Sequence, residues 1–495
     1  MTRRFETKSS TSINSQTTRS CIFSTRLMKK SKRTHAPKRE DGADIISKLP
    51  DHILLLILSL LPTTEEVIRT RILSTRWRHL WTSIPSLDID YSRRHKPPKT
   101  FKKNKFKKFV FWVLANRSFD LDSFRLCCSN YYSMSTIAQW INIAITRNVK
   151  QLELRFCPRK KSEDIELPHS LVTCGSLEIL RLFLSTHRLS MPGFIGFPAL
   201  RVLELNNVEL FHNDFLQDFL INCPLLEDLS LINCLLDKLI FLVINCPKLK
   251  NLRIDNRNKA EYLNRFEYVG LCGLVMLFCP KLVSLEFGGH IADKFFFQSL
   301  DSLKKAVIHS EDTLLDEFTF DPIGDTIREL YAGISHVESL SISHHFVQAL
   351  HLPVSLPNLK TLEITIDALI MDSIIEFLKC LPDLESLHLI VEQRFFTSRF
   401  GDLDQEDRRR ILTCHLKKIE FIEFDGENTK LEVAAFLLAH GDAMEEMVFS
   451  CSNEAKYHAL SMETLKKVSN FHKASSNVKV ITLLRTNAAR FSDNM

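Results

Sequence analysis

The stretch LRVLELNNVEL at residues 200–210 shares one pattern with LEDLSLINCLL at residues 226–236 and LKNLRIDN at residues 249–256. Each stretch places two aliphatic residues around one central residue, as in the LEL of the first. Side chains alternate between the two faces of a strand, so both aliphatic residues point to one side and the central residue to the other. The pattern therefore predicts short strands that are buried on one face.

The same pattern recurs along most of the chain. Further copies read VKQLELRFC, LEILRLFL, LVSLEFGG, LKKAVIHS, VESLSIS, LKTLEITID and LESLHLIV. The first aliphatic residue of each strand falls at positions 152, 180, 203, 229, 252, 285, 306, 340, 362 and 387, at intervals of about 21 to 34 residues. This period is typical of leucine-rich repeats with inserted loops, and Asn233 and Cys234 lie where such a repeat has its Asn/Cys step. An ordinary leucine-rich α/β domain is the alternative.

The most apolar run of the chain, LPDHILLLILSLLP, lies at residues 49–62. Pro50 and Asp51 suit the start of a helix, and Pro62 ends it. Thr63 and Glu66 match a capping box for a second helix, and Ser74 is a candidate cap for a third. Three short helices make too small a core to bury an apolar run that surrounds its whole helix. We therefore expect an exposed apolar surface that binds another protein.

Composition and motifs exclude several classes of protein. The chain of 495 residues has 13 glycines and contains no GxGxxG or GxxxxGK[ST] phosphate loop. No apolar run reaches the length of a membrane span, and the first 25 residues have no apolar core of a secretory signal. The 13 cysteines form no CxxC pair, which predicts reduced thiols in an intracellular protein.

Two basic segments interrupt this organisation. Residues 1–42 are polar and predicted to be disordered, and KKSKR at residues 29–33 is either a nuclear import signal or part of a basic tail. Residues 93–108 hold nine Lys or Arg and no acid, and an amphipathic helix begins near Phe106. The formal net charge of +6 is small for this length.

The pattern changes again between residues 411 and 449. A strand around Ile419 leads into the turn signal Asp425–Gly426, a helix ends near Gly441, and a closing strand follows at residues 447–449. Such a unit would cap the open end of a repeat array. Farther on, LSMETLKKVSNFHKA predicts a short helix and VKVITLL a strand.

With these residues in place, the chain resembles the plant F-box proteins that carry leucine-rich repeats and a C-terminal FBD domain. Residues 46–90 are similar to an F-box along their full length, and LKKIEFIEFDGENTKLEVAAFLLAHGDAMEEMVF is similar to an FBD domain. Two departures are Arg71, where the family usually has a small residue, and Thr75, where it usually has lysine. The resemblance implies an α/β fold in which a three-helix F-box precedes a repeat solenoid and an FBD cap. The expected boundaries are 1–42 for the tail, 43–90 for the F-box, 91–148 for a basic linker and first cap, 149–400 for the repeats and 401–495 for the FBD domain and tail.

The resemblance also implies a function. F-box helices dock on a Skp-type adaptor, which links them to a cullin–RING ubiquitin ligase, and the repeats bind the target protein. The residues expected to contact the adaptor are Leu49, Pro50, Ile53, Ile57, Leu58, Leu61, Pro62, Leu73 and Trp77. Leu80 and Trp81 are expected to lie in the core.

The target would bind the concave face of the repeats, where the central residue of each strand points. These residues are Glu153, Arg181, Glu204, Ser230, Arg253, Glu286, Val307, Ser341, Glu363 and His388. They are either target contacts or solvated strand positions. Their charges are mixed, whereas a reader of nucleic acid would show a basic stripe.

We expect no catalytic residue, metal or cofactor. No GxSxG or HExxH motif occurs, and the histidines at 344, 345 and 351 lack a carboxylate or thiol at ligand spacing. Cys272 and Cys279 are expected to be core residues. Such a receptor needs no catalytic residue of its own, because the other subunits of the ligase transfer ubiquitin.

Three rival functions are retained. One is a nucleic-acid-associated protein whose basic segments bind phosphates, with Phe101 and Phe106 between the lysines. Another is a repeat scaffold that no longer recruits a ligase, for which Arg71 is the support. A small-molecule co-receptor is the third, although no cluster of Arg, Phe and Ser indicates a pocket. The expected location is the nucleus or cytoplasm, with no membrane partner.

Overall fold

A computed structural model of the chain describes residues 46, 49–90, 103–128, 132–156, 164–190, 196–210, 213–236, 239–256, 273–289, 292–298, 300–309, 321–343, 346, 356–367, 377–378, 380–392, 415–451 and 454–484. The chain divides into two compact units, residues 1–50 and residues 51–495. In the first unit the Leu49 amide donates a hydrogen bond to the Ile46 carbonyl over 3.1 Å. The second unit holds every helix and strand named below.

The helices lie between the strands and at the two ends of the second unit. They are α1 (Asp51–Ser59), α2 (Thr64–Arg69), α3 (Trp77–Leu80), α4 (Lys103–Ala115), α5 (Met134–Ile145), α6 (His169–Val172), α7 (Asn213–Ile221), α8 (Asp321–Gly333), α9 (Asn428–His440) and α10 (Glu454–Ser469). Two 3₁₀ helices, Thr70–Ile72 and Trp81–Ser83, extend α2 and α3.

Most of the strands are short, and each pair of neighbouring strands described is parallel. They are β1 (Ser86–Asp90), β2 (Ser123–Cys128), β3 (Gln151–Phe156), β4 (Ile165–Glu166), β5 (Ile179–Ser190), β6 (Val202–Glu209), β7 (Asp228–Ile232), β8 (Phe241–Asn245), β9 (Asn251–Asp255), β10 (Leu274–Phe278), β11 (Ser284–Gly288), β12 (Lys294–Gln298), β13 (Lys305–His309), β14 (Ser339–Ser343), β15 (Thr361–Asp367), β16 (Ser386–Glu392), β17 (Lys418–Ile422), β18 (Glu446–Cys451) and β19 (Lys479–Leu484). Sixteen of these described strands form one sheet that runs from β1 to β19 in chain order, with β4 beside β5. Every pair in this sheet is parallel.

The predicted strand positions form one buried row across this sheet. Leu152 pairs with Leu180, Leu180 with Leu203, and the register continues through the predicted positions to Leu387. None of these ten side chains is more than 2% exposed. A second buried row runs two residues farther along each strand, through Leu205 and Leu231. The fold prediction of an α/β repeat solenoid is confirmed by the single parallel sheet.

A second layer connects the strands of the main sheet. Helices α5, α7, α8 and α9 each precede a main-sheet strand, and the middle repeats use strands in the same place. There β8, β10 and β12 form a separate three-stranded parallel sheet, in which β10 is central. Helix α7 contacts β8 and helix α8 contacts β12, so the small sheet continues the helical layer. Its strands were not predicted.

The Asn/Cys step of the repeat is confirmed in one copy. Asn233 follows β7 with a φ of 51°, in the left-handed region that Asn tolerates better than most residues. The backbone N–H of Asn233 donates to the Asp255 carbonyl over 2.7 Å, and the Cys234 thiol donates to the Leu205 carbonyl over 3.3 Å. The turn thereby satisfies backbone groups of the neighbouring repeats.

A line of alternating charge runs along the edge where the strands begin. It consists of the residue directly before each main-sheet strand from β2 to β18, with β4 left out, and we call it the charge ladder: Asp122, Lys150, Glu178, Arg201, Glu227, Lys250, Val283, Lys304, Glu338, Lys360, Glu385, Lys417 and Glu445. Neighbours form ion pairs, such as Lys150 with Asp122 at 2.8 Å and Lys250 with Glu227 at 2.7 Å. Val283 is the one member of this set without a charge, and it lies between two lysines.

Side-chain hydroxyls contact the backbone at both ends of the main sheet. The Asp88 amide of β1 donates to the Thr64 hydroxyl over 2.8 Å. At the other end the Tyr457 hydroxyl of α10 donates to the Thr482 carbonyl of β19 over 2.9 Å. An edge strand presents unpaired backbone groups to other chains, and these contacts cover one such group at each end.

The predicted C-terminal unit matches the structure, because β17, α9 and β18 lie at the expected strand, helix and closing strand, and α10 and β19 follow. The main sheet, however, does not stop at the boundaries expected at residues 149 and 400. Strands β1 and β2 precede the first, and β17 to β19 follow the second. The expected cap regions therefore contribute strands to the same sheet.

Candidate functional site

The helices of residues 51–90 leave a cluster of aliphatic side chains exposed. We call it the apolar patch: Leu56, Ile57, Leu60, Ile72 and Leu73, which are 58%, 39%, 77%, 85% and 62% exposed. The first three lie on and just after α1, and the other two on and just after the 3₁₀ helix Thr70–Ile72. Both segments contact α3, and Arg76 at the start of α3 forms an ion pair with Asp51 of α1. The patch is thus held on a packed helical support.

The structure separates the predicted adaptor contacts into three groups. Ile57, Pro62 and Leu73 are exposed, and Ile53 and Leu61 are half-buried. Leu58 and Trp77 are buried at 0% and 4% exposure, so they are core residues here and their assignment to the contact surface needs correction. The reason is that α1 turns Leu54 and Leu58, one helical turn apart, toward the interior. Leu49 is half-buried and Pro50 exposed, and both belong to the first unit.

Of the two helix caps predicted in this region, the structure confirms one. Thr63 is the N-cap of α2 and its hydroxyl accepts a hydrogen bond from the Glu66 amide over 3.3 Å, as the capping box predicted. Ser74 does not cap the third helix, which begins at Trp77 after a turn. Leu80 and Trp81 are buried, as expected for core residues.

Three contacts fix these helices to the start of the sheet. The rings of Trp81 and Trp112 stack with centroids 5.0 Å apart, and the Arg71 guanidinium lies 5.8 Å from the centre of the Trp112 ring. The buried Arg117 donates to the carbonyls of Trp81, the first residue of the 3₁₀ helix Trp81–Ser83, and of Ile84, which follows it. Burial, and then the nearby Arg147, lower the pKa of Arg117 to about 10. Arg71, which departs from the family pattern, therefore has a structural partner in α4.

The central residues of the main-sheet strands form the second candidate site. We call them the polar row: Asp88, Arg125, Glu153, Arg181, Glu204, Ser230, Arg253, Glu286, Val307, Ser341, Glu363, His388 and Glu420, each in register with the next. All ten residues predicted for the target face are members. Asp88, Arg125 and Glu420 were missed, although LDID, FRLC and KIEFI carry the same alternation.

In the first half of the polar row, from Asp88 to Arg253, all members but Ser230 form ion pairs that remain partly exposed. Arg125 contacts Asp88 at 2.8 Å, Asp90 at 3.2 Å and Glu153 at 2.9 Å. Burial alone would lower the pKa of Arg125, but its hydrogen bonds to Asp88 and Glu153 raise it above the ordinary value. This arginine links three neighbouring strands.

The second half of the polar row, from Glu286 to Glu420, is buried. The Ser341 hydroxyl donates to Glu363 over 2.9 Å and lies 3.0 Å from His309 Nε2. His388 Nδ1 lies 3.5 Å from a carboxylate oxygen of Glu420. Glu286, Val307, Ser341, Glu363 and His388 were predicted to face a target, and all five are less than 9% exposed. In this structure they do not form an accessible surface.

No group of three or more His, Cys, Asp or Glu among the described residues is arranged to hold a metal ion. The histidines at 344, 345 and 351, and Cys272, lie outside these residues. A cleft of about 330 Å³ over the charge ladder is lined by paired charges such as Lys417 and Glu385. No helix in the described part of the chain has the length and hydropathy needed to cross a membrane.

The cysteines behave as structural thiols. Of the nine cysteines that the structure describes, seven are buried. Burial raises the pKa of Cys279 to about 11 and that of Cys223 to about 12, which disfavours the reactive thiolate. Cys279 is a core residue, as predicted.

The basic segment 93–108 is described only from residue 103, and KKSKR at residues 29–33 lies outside the description. Within α4, Lys107 donates to the Thr136 hydroxyl over 2.9 Å and lies 5.9 Å from the Phe111 ring centre. Phe106 is buried. These two residues stabilise the junction of α4 and α5 and are not held out toward a phosphate chain.

Comparison with known proteins identifies both regions. The model of the family described as "At1g61320/AtMIF1, LRR domain" matches residues 114–482. The chain belongs to this leucine-rich-repeat family. The F-box domain model matches residues 46–88, which contain the apolar patch. The strands from β2 to β19 lie within the match to the leucine-rich-repeat domain, and helices α1 to α3 lie within the match to the F-box.

Whole-length relatives in Arabidopsis thaliana combine the same parts. The FBD-associated F-box protein At5g22730 is 28% identical over 467 residues, which cover 89% of this chain and 94% of the relative. F-box/LRR-repeat protein 13 is 25% identical, with 90% and 98% covered. F-box/FBD/LRR-repeat protein At1g78750 is 25% identical, with 91% and 99% covered. The resemblance to plant F-box proteins with repeats is confirmed, and the FBD label comes from the names of these relatives.

Sequence reasoning missed three members of the apolar patch, namely Leu56, Leu60 and Ile72. A helix that is apolar on every side gives no signal for which face turns inward. Leu54 and Leu58 have the i, i+4 spacing of residues on one helix face, but Leu56 and Leu60 have the same spacing. Which of these two pairs is buried depends on how α1 packs on α3.

Proposed function

We propose that the chain is the substrate-recognition subunit of an SCF-type cullin–RING ubiquitin ligase. Its F-box docks on a Skp-type adaptor through the apolar patch, and its repeats bind the target protein. The observation that carries the proposal is the exposure of five large aliphatic side chains on a helical support. Exposed apolar clusters of this kind mark protein interaction sites in soluble proteins.

The energetics favour a partner over solvent. Complete burial of a leucine or isoleucine side chain contributes about 1.5–3 kcal/mol. Several such residues together can offset the roughly 4–15 kcal/mol that association costs in lost freedom. The proposed contacts are the patch together with Leu49, Pro50, Ile53, Leu61 and Pro62.

The chain itself is proposed to be non-catalytic. A substrate receptor acts by proximity, because it holds a target lysine near the thioester that other subunits carry. The junction between the F-box and α4 supports this role, since Trp81 stacks on Trp112 and Arg117 donates to the Trp81 carbonyl. In this proposal residues 43–90 are the F-box, 91–148 the first cap, 149–400 the repeats and 401–495 the FBD domain and tail.

The proposal is tested by adaptor binding of the purified chain, measured by calorimetry with a purified Skp-type adaptor. We compare the wild type with Leu60→Asp, because Leu60 is 77% exposed and a carboxylate there does not disturb the core. Desolvating that carboxylate in an apolar interface costs several kcal/mol, so affinity should fall at least a hundredfold. Met462→Asp on α10 is the matched control, since Met462 is 74% exposed and lies at the far end of the sheet.

Tight binding by the wild type and by Met462→Asp, with loss in Leu60→Asp, is the expected result. A folded wild type that does not bind the adaptor would contradict the proposal and favour a repeat scaffold without a ligase. Equal affinity of Leu60→Asp and wild type would show that the apolar patch is not the contact.

A further inference from the structure

The apolar patch borders an exposed, positively charged face of α4. Four exposed residues form it, and we call it the basic face: Arg71, Lys105, Lys108 and Trp112. Arg71 comes from the F-box, where it directly precedes the patch residues Ile72 and Leu73, and its guanidinium lies 5.8 Å from the centre of the Trp112 ring. The two lysines precede Trp112 by four and seven residues, so they lie on its side of the helix. The basic face therefore continues the apolar patch onto α4.

The positive charge of the basic face has no acidic partner in the described part of the chain. Residues 67–84 of the F-box and residues 103–119, which meet at the stacked tryptophan rings, contain no Asp or Glu. None of the three basic side chains of the face forms an ion pair within the described residues. Two more arginines of the same F-box segment, Arg69 and Arg78, are exposed and likewise form no ion pair there. This charge is left to solvent or to a partner.

The acids of residues 51–90 are placed elsewhere. Asp51 of α1 is paired with Arg76, and the two acids of β1 both pair with Arg125 on β2. The remaining two, at positions 65 and 66, lie in the first turn of α2, where a carboxylate favours the helix N-terminus. A partner that reaches α4 therefore meets an excess of positive charge.

The position of the basic face decides what kind of partner reaches it. Arg71, Ile72 and Leu73 are consecutive and all exposed, so a protein that covers the two aliphatic side chains also approaches Arg71. Trp112 is 37% exposed and offers that protein a further apolar surface beside the guanidinium. Cations at the rim of an apolar interface favour a partner with acidic side chains there, and such pairs act mainly on association rate and selectivity. A phosphate chain would pair with the lysines but leave the aliphatic side chains uncovered.

We propose that the adaptor contact extends past the F-box onto the basic face, where the adaptor places Asp or Glu side chains against Arg71, Lys105 and Lys108. This inference rests on the proposed function, since it adds a second contact to the same complex. The F-box match ends at residue 88, so α4 lies outside the matched domain. An adaptor without these acidic side chains would bind the apolar patch alone, and the basic face thereby sets which adaptor the chain prefers.

The test is calorimetric titration of the full chain with a purified Skp-type adaptor at about 0.05 M and about 0.5 M salt. The double variant Lys105→Glu with Lys108→Glu reverses the charge of two exposed side chains outside the F-box. Lys105→Gln with Lys108→Gln removes the charge without reversing it. The matched control is Lys248→Glu with Lys281→Glu, two exposed lysines in the turns before β9 and β11 that form no ion pair within the described residues. Circular dichroism reports whether each variant is folded.

We expect the charge reversal to weaken adaptor binding at least about tenfold at low salt, and the neutral double variant to weaken it less. The difference from the wild type should shrink at high salt, because salt screens exposed charges. The control should bind like the wild type at both salt concentrations. This pattern would locate an acidic part of the adaptor against α4.

Equal adaptor affinity of the charge reversal and the wild type at low salt would overturn the inference alone and leave the proposed function standing. So would an equal loss in the control, since that result indicates general attraction to positive charge. A folded wild type that does not bind the adaptor would contradict both. Loss of binding to a labelled DNA oligonucleotide in the charge reversal, with unchanged adaptor affinity, would assign the basic face to nucleic acid instead.

Discussion

The F-box and the repeat sheet are both built from leucine and isoleucine, but they place these residues differently. Across the sheet the row from Leu152 to Leu387 is completely covered, because each strand is packed between two others and under a second layer. In the F-box, Leu54 and Leu58 are covered while Leu56 and Leu60 are not. The repeats bury their aliphatic side chains, whereas the F-box leaves several of them exposed.

The sharpest test of this difference uses two leucines of the same run, two residues apart. Leu58→Ala should destabilise the chain by about 2–5 kcal/mol, because it leaves a cavity at a site with 0% exposure. Leu60→Ala should change stability by less than about 0.5 kcal/mol. Urea unfolding followed by circular dichroism measures both. Similar losses in the two variants would mean that the F-box has no surplus surface.

A loss of stability of intermediate size is expected from a substitution in the polar row. Arg125→Ala should cost roughly 2 kcal/mol, less than the 3–5 kcal/mol of a fully buried pair, because Arg125 keeps contact with solvent. It removes the partner of Asp88, Asp90 and Glu153, on β1 and β3, at once. The control is Lys150→Ala, whose pair with Asp122 is about half exposed on both sides and should contribute much less to stability. Thermal unfolding measures the loss of stability in both variants. Equal losses would show that Arg125 does not stabilise the three neighbouring strands more than an exposed ion pair does.

The smallest expected change in stability is at Val283, where the charge ladder lacks a charge. Val283 is 39% exposed and lies between Lys250 and Lys304, where the alternation would place an acid. Val283→Glu should stabilise the chain by about 0.2–1 kcal/mol at low salt, and the gain should shrink at high salt. Val283→Gln separates the loss of an exposed aliphatic side chain from the added charge. A gain that is equal in both variants would show that the ladder contributes no pairing energy at this point.

The sequence predicted the repeats well because their signal is local and recurs. Each LxL fixes its own two faces, and ten copies place the buried row without knowledge of any neighbour. The capping box at Thr63 is equally local. The helix of residues 51–59 carries no such information, since nearly every face is apolar, and so the buried Leu58 was assigned to the contact surface.

The sequence did not predict which residues of the polar row are buried and which are partly exposed. Glu204 and Glu363 occupy the same position in their repeats, yet the first is half-buried and the second buried. That difference depends on what surrounds each strand and not on the strand itself. The sequence does contain a signal for the small sheet, which the strand predictions left out. FLVIN and LVMLF are strand-like runs, and each is followed by CPKL.

The central claim is that the uncovered side chains of the F-box are covered by an adaptor. Hydrogen–deuterium exchange of the full chain, with and without a purified Skp-type adaptor, tests it most directly. We predict slower exchange in residues 53–73 on binding, where α1, α2 and the patch residues lie, and unchanged exchange in strands β5 to β16. Protection that falls in the repeats while residues 53–73 exchange as before would contradict the account.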